Sequence, residues 1–227
     1  MRRLAALLLL AAGTLARAEG MVEVNFMDQP ANGGGYVTRY LITDRYLRMD
    51  YGQDRDDFVL FDRQARLAYN VVHDQRTILV IEPGPIGMTR PAEWKVKEDV
   101  LLEERGSRTF DISVNGQHCS RITASPTLLP DVVRALGEFN ELMAASQSAT
   151  YFATPAELRH PCELARFVFD HGMWLKNGLP LYEADADGFV RRLINYESGL
   201  SERRLLFALP KSYRMVRLRD LQGQPAP

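Results

Sequence analysis

The side chains able to do chemistry are few and scattered. There are four histidines, His73, His118, His160 and His171, and two cysteines, Cys119 and Cys162. A zinc site needs three or four such ligands at characteristic spacings, and neither HExxH nor a paired CxxC occurs. No GxSxG elbow is present to expose a nucleophilic serine. Asn32-Gly33-Gly34-Gly35 has neither the strand–loop–helix setting nor the Lys of a phosphate-binding loop, and reads as a turn. The acidic groups Asp54, Asp56, Asp57 and Asp185, Asp187 lack the closing Glu of a calcium loop. They read as solvated turns. No spacing nominates a general acid and base. The chain therefore reads as a non-enzymatic protein with no cofactor and no metal.

His118-Cys119 and His160-Pro161-Cys162 place a histidine beside each cysteine. A metal or redox site would use such a pairing; two polar residues beside a bridge is the plainer reading. The compartment decides how the cysteines are read. Arg2 and Arg3 precede an apolar run from Leu4 to Leu15, and Ala16-Arg17-Ala18 comes next as a small-x-small exit. That order marks a cleavable export signal over residues 1–18, cut after Ala18. The run is too short for a membrane span, which needs about 20 residues, and no later stretch reaches that length. In an oxidising compartment Cys119 and Cys162 are expected to pair, the alternative being two free buried thiols. Closing that loop of about 44 residues would contribute roughly 4 kcal/mol on a chain-entropy model. Loss of residues 1–18 removes three arginines and leaves 25 basic against 29 acidic residues, a net charge of −4. Nucleic-acid binding rests on a basic surface and is not expected.

The elements that must position these residues come in three blocks. Short apolar or alternating runs occur at Met21–Phe26, Tyr36–Thr43, Tyr46–Tyr51, Phe58–Phe61, Leu67–Val72 and Thr77–Ile81, with turn residues between them. That spacing predicts an antiparallel sheet. Trp94–Leu102, Phe110–Val114 and His118–Thr123 continue it, the last two flanking the Asn115-Gly116 hairpin signal. Leu128 to Ala145 carries apolar residues three and four apart, which predicts an amphipathic helix. Thr154-Pro155-Ala156-Glu157 has the pattern of a second helix start, and His160-Pro161 would kink that helix or restart it. Leu179–Ala184, Phe189–Tyr196, Arg204–Leu209 and Tyr213–Leu218 return to strands, and residues 220–227 form a tail.

The expected fold is α+β: one curved antiparallel sheet, an unclosed barrel, with two helices from the insert at about 126–170 packed on its concave face. Residues 19–219 form one domain. Its interior candidates are aromatic and apolar: Tyr40, Tyr51, Phe58, Tyr69, Trp94, Phe139, Met143 and Trp174. Ligand pockets have this character, mainly apolar with few polar groups. The same residues would equally fill a solid core.

Several segments carry a resemblance. Tyr46-Leu47-Arg48-Met49-Asp50, then Asp57 to Asp62, Leu67 to Val71 and Thr77 to Ile81, resemble the hairpin succession of the periplasmic lipoprotein-carrier (LolA/LolB-like) superfamily. Leu206 to Tyr213 and Pro161 to Ala165 resemble uncharacterised exported proteobacterial families of that superfamily. The likeness covers residues 21–123 and 179–219. It implies a half-barrel with helices lidding an apolar cavity, and a Gram-negative periplasmic location. The function it implies is carriage of a lipid, acyl chain or lipidated protein. The carriers also place an Arg inside the cavity; the resemblance assigns that role to no particular Arg here. The alternative is an envelope module that binds another protein through its sheet.

Overall fold

The computed structural model describes residues 20–222; the proposed export signal lies outside the described residues. Twelve strands form one sheet. They are β1 Met21–Gln29, β2 Tyr36–Ile42, β3 Tyr46–Asp50, β4 Phe58–Asp62, β5 Leu67–Val72 and β6 Thr77–Ile81, followed by β7 Val96–Glu104, β8 Ser107–Val114 and β9 Gln117–Ser125. After the helical insert come β10 Leu179–Asp185, β11 Val190–Leu200 and β12 Arg214–Arg217. Three α-helices are present among the described residues: α1 Pro130–Ala153, α2 Pro161–Leu164 and α3 Leu218–Gln222.

The order across the sheet is β12-β6-β5-β4-β3-β2-β1-β11-β10-β9-β8-β7. Within β1–β6 and within β7–β11 consecutive strands pair antiparallel, and β1 joins the two blocks by pairing with both β2 and β11. The sheet is unclosed, with β12 and β7 at its edges. It is mixed, which corrects the antiparallel expectation: β12 runs parallel to β6, because the chain returns from β11 across the outer face before adding that last strand.

Strand alternation sorts the apolar residues onto two faces. On β4, Phe61 points to the inner core with Phe26, Tyr40 and Leu47, against Val132, Ala135 and Leu142 of α1. Phe58 and Leu60 of the same strand point outward and pack with Leu41, Val71, Ile78, Leu206 and Phe207. Both faces of this block are covered, which is why Phe58 to Phe61 is an unbroken apolar run. A third cluster joins β8 and β9 to the insert through Phe110, Ile112, Ile122, Ala165 and Trp174.

The helical insert departs from expectation in its second half. Helix α1 continues to Ala153, and Thr154 ends it: its N–H and its Oγ1 both donate to Thr150 O, at 3.1 and 3.0 Å. Thr154 precedes a proline and takes extended backbone, which no helical residue can. The 154–157 pattern thus caps a C-terminus, and only a 3-10 turn, Ala156–Leu158, comes after it. Helix α2 is one turn long and passes into a wider π-type turn at Ala165–Phe169. The expected strand at Arg204–Leu209 is a 3-10 turn, Arg204–Phe207. Leu206 and Phe207 are adjacent yet both buried in the outer core, which a strand cannot arrange on one face. Arg63 fastens α1 to the sheet through two bonds to Glu138, at 2.6 and 3.2 Å.

Candidate functional site

A cavity of about 860 Å³ lies between α1, the segment after it and the sheet. Side chains from nine neighbouring strands reach it, from Ile81 on β6 and Asn70 on β5 to Ser120 on β9. Nine strands laid flat would span about 38 Å at the usual inter-strand spacing. The sheet must curl to bring them round one space.

One wall is apolar. Phe26, Tyr40 and Met49 face it from β1, β2 and β3, and Leu136, Phe139 and Met143 face it from one side of α1, at helical spacing. Two apolar side chains that line the cavity remain open to solvent, Leu158 at 68% and Phe167 at 40% exposure.

A charged wall adjoins it, Arg191 of β11 lying 5.3 Å from the Phe26 ring of β1. Asp28 accepts two bonds from Arg191, Nε at 2.7 Å and Nη2 at 2.6 Å, and a third from Thr38 Oγ1 at 2.6 Å. Arg166 Nη1 lies 2.5 Å from both Glu183 Oε1 and Asp185 Oδ2. Asp185 also accepts from Ser120 Oγ at 2.5 Å, and Trp174 Nε1 donates to that hydroxyl at 3.0 Å. Glu183 and Asp185 are two apart on β10 and so share a face. Glu183 pairs across the strands with Arg191.

Glu183 is 2% exposed, and its Oε1 is ion-paired with Arg166 but makes no aligned hydrogen bond. Burial pushes its carboxyl up to about 7; Arg166 and Arg191 oppose the shift, and Asp185 adds to it through charge and a shared hydrogen bond. Burial works against the charge of Arg191, but Tyr40, Asp28 and Glu183 outweigh it and raise its pKa.

The Cys119 and Cys162 sulfurs lie at disulfide distance, 1.95 Å, and both line the cavity. They join β9 to α2, four residues before Arg166. The two neighbouring histidines are not gathered. His160 lines the cavity and contacts Gln117 Nε2 at 2.9 Å, whereas His118 turns outward, 3.5 Å from Asp111. Among the described residues no group of three or more His, Cys, Asp or Glu is placed to hold a metal ion.

Of the interior candidates, Tyr40, Phe139, Met143 and Trp174 line the cavity. The other four lie elsewhere, which corrects the expectation of one shared surface. Tyr51 is 62% exposed, edge-on to Tyr36. Phe58 and Tyr69 face the outer core, Phe58 beneath the Arg48 guanidinium at 4.0 Å. Trp94 belongs to the third cluster and donates Nε1–H to Asp170 at 2.8 Å. The charged wall escapes sequence reading. Asp185 reads as part of a solvated turn, and Arg166, Glu183 and Arg191 stand out by no motif. The available signal is register: a hairpin turning at 185–188 sets Glu183 against Arg191, one charge pair on one face.

No protein-family model and no curated protein matches the chain. Among solved structures, an uncharacterized conserved protein from Thermus thermophilus is similar over 88% of this chain and 91% of that one, with a TM-score of 0.43 and 8% identity. PNGF-II is similar over 89% of this chain and 32% of its own, with a TM-score of 0.42 and 7% identity.

Proposed function

We propose that this is an exported protein that binds an apolar or amphiphilic ligand, a lipid, acyl chain or lipidated protein, in the cavity under α1. The observation that carries this reading is the cavity itself: about 860 Å³, with an aromatic and thioether wall. Specific small-molecule sites fall in the range of about 300–1,000 Å³ and are predominantly apolar. Export to the periplasm is supported by the signal-like residues 1–18 and by a cysteine pair at bonding distance. No helix among the described residues is long and apolar enough to cross a membrane. The reading is a carrier or binding protein.

The test is native mass spectrometry of the processed protein taken from its own host, followed by denaturing release. Release of a lipid or acyl species is the expected result. A neutral apolar dye such as Nile red should bind the emptied protein, and Met143→Trp, which fills the wall from α1, should reduce that binding at least tenfold. A bare polypeptide mass together with no dye binding would overturn the proposal.

A second reading has its own observation. Strand β7 is a sheet edge, and Val100, Leu101 and Leu102 on it are each about half exposed. Such an edge can accept a strand from an envelope protein. Val100→Lys with Leu102→Lys would abolish that association in co-purification while leaving dye binding intact.

A further inference from the structure

Three polar side chains that line the cavity are neutral and unengaged: Asn70 of β5, and Asn140 and Gln147 of α1. All three are half-buried. Their carboxamides have no hydrogen-bond partner among the described residues, yet none is sealed in as Asn177 Nδ2 is. They are open to the space they line. Amides elsewhere are engaged: Asn177 accepts from Arg108 at 2.8 Å, Gln117 meets His160 at 2.9 Å and Asn25 donates to Asn195 at 2.9 Å. Asn70 stands on the inner face two residues beyond the buried Ala68, with Val59 and Leu79 opposite it on the flanking strands. Asn140 and Gln147 share the side of α1 that carries Phe139 and Met143. A filled core would place apolar residues at such positions, because a carboxamide there costs free energy until its donors and acceptor are met.

The charged wall, by contrast, answers its charges from within. Arg191 donates twice to Asp28, which accepts a third bond from Thr38. Arg166 Nη1 is shared by Glu183 and Asp185, and Asp185 also accepts from Ser120. Asp28 and Glu183 are 1% and 2% exposed, which leaves an ammonium head no bare carboxylate to reach. A carboxylate head would meet two guanidiniums already bound to three carboxylates. Glu163 and Asp187 also line the cavity but stand in solvent, where an ion pair contributes little. A charged head of either sign would therefore lose its water without gaining a buried counter-ion. A neutral head escapes that cost.

We propose that the cavity takes an acyl amphiphile with an uncharged head, hydrogen-bonded by Asn70, Asn140 and Gln147 while its chain lies against Phe139 and Met143 of α1. This rests on reading the cavity as a ligand site. A carboxamide donates through its NH2 and accepts through its oxygen. The head that matches it carries a carbonyl together with hydroxyl or amide N–H groups, as an acyl ester of a small polyol or a hydroxyalkyl acyl amide does. Asn140 and Gln147 are seven residues apart, about 10 Å along the helix axis, so a single hydroxyl reaches one of them and not the other. Selectivity of this kind comes from the polar groups that a wrong ligand leaves unpaired.

The experiment is isothermal titration calorimetry at pH 8 on the disulfide-intact protein. The probes are 1-decanoylglycerol, N-(2-hydroxyethyl)decanamide, decanoate and decylammonium, each below its aggregation concentration. At least one neutral probe should bind about tenfold or more tighter than either ion, and the tighter of the two tells ester from amide. Asn140→Leu and Gln147→Leu, which remove the amide at similar volume, should each cut that preference severalfold while Nile red binding is kept or raised. Decanoate or decylammonium binding as tightly as the neutral probes would overturn the uncharged-head assignment and leave the apolar-cavity reading standing. A preference that survives both Leu variants would overturn the role given to the carboxamides. The comparison among probes is read on the parent protein, so it decides the matter even if a variant misfolds. No binding by any of the four would overturn the assignment, and absence of Nile red binding as well would overturn the cavity reading with it.

Discussion

Two buried charge networks sit on opposite faces of the same sheet, and they are built to different ends. On the outer face, Arg39 donates to both oxygens of Asp50, at 2.8 and 2.9 Å, and to Asp54 at 2.9 Å. Arg48 donates to Asp50 at 2.7 Å, to Leu206 O at 2.7 Å and to Asp54 O at 3.0 Å. Both guanidiniums have several acceptors, and Asp50 accepts from both. Burial pushes the Asp54 carboxyl up, but Arg39 and Arg203 outweigh it and hold it below its usual range. On the inner face the same residue types leave Glu183 pushed up, with one guanidinium nitrogen, Arg166 Nη1, shared between it and Asp185. The outer network is a closed staple that ties β2 and β3 to the Arg204–Phe207 turn; the inner one is open toward a cavity. What separates structure from site here is the setting of the buried charges: Arg39, Asp50 and Arg48 pack into the outer face, whereas Arg166, Glu183, Asp185 and Arg191 line the cavity.

Breaking the closed network should therefore cost most. Asp50→Ala would leave Arg39 and Arg48, with side chains 8% and 2% exposed, without their shared carboxylate. The expected loss is about 3–5 kcal/mol, the range for stranding a buried charge, read as a lowered urea midpoint at unchanged slope. A loss below about 1 kcal/mol would mean that the outer network is as loosely held as the inner one, and the contrast would fall.

Reducing the Cys119–Cys162 bond comes next and should act mainly on the inner network. The bond closes a span of 43 residues, and its removal should cost roughly 2–4 kcal/mol of global stability. Hydrogen exchange gives the sharper reading. Amides of residues 162–170, which include Arg166, should exchange faster on reduction, while those of β3 keep their protection relative to the global value. Equal loosening of both would show that the two faces are not independent.

Much of this architecture is legible because the apolar residues obey strand and helix periods. Val24 and Phe26 on β1, Tyr40 and Ile42 on β2, and Phe139 and Met143 on α1 are all placed by spacing alone. Asn115-Gly116 turns as expected, with φ of 52° and 83°. The departures have local causes. Thr and Pro punctuate both ends of helices, so Thr154-Pro155 reads as a start where the structure makes it an end. Leu205-Leu206-Phe207-Ala208 has a strand's composition, but Leu205 is 88% exposed beside two buried neighbours. Half of the eight site candidates lie off the cavity, and for Phe58 and Tyr69 the reason is that strands buried on both faces show too little alternation to tell inner from outer. The charged wall is illegible for a different reason. Asp, Glu and Arg read as surface residues one at a time, and only the pairing of β10 with β11 and the fold of residues 161–170 onto them makes them a cluster.

The smallest expected effect bears on the open network most directly. Glu183 has a folded-state pKa of about 7 against an ordinary 4.5. A carboxyl raised in this way favours the folded state fully below pH 4.5, and that contribution is lost as pH rises through 7. Glu183→Gln removes the titration. Its stability relative to the parent should therefore be flat below pH 4.5, rise between pH 4.5 and 7, and level off above, gaining up to about 3 kcal/mol across that window. Urea unfolding at pH 4, 6 and 8 reads the difference directly, without a ligand. An open network predicts that Gln gains on the parent with rising pH. If Gln instead loses ground as pH rises, the Arg166 ion pair outweighs burial, Glu183 is held as firmly as Asp50, and the inner network is a second staple in place of a binding surface.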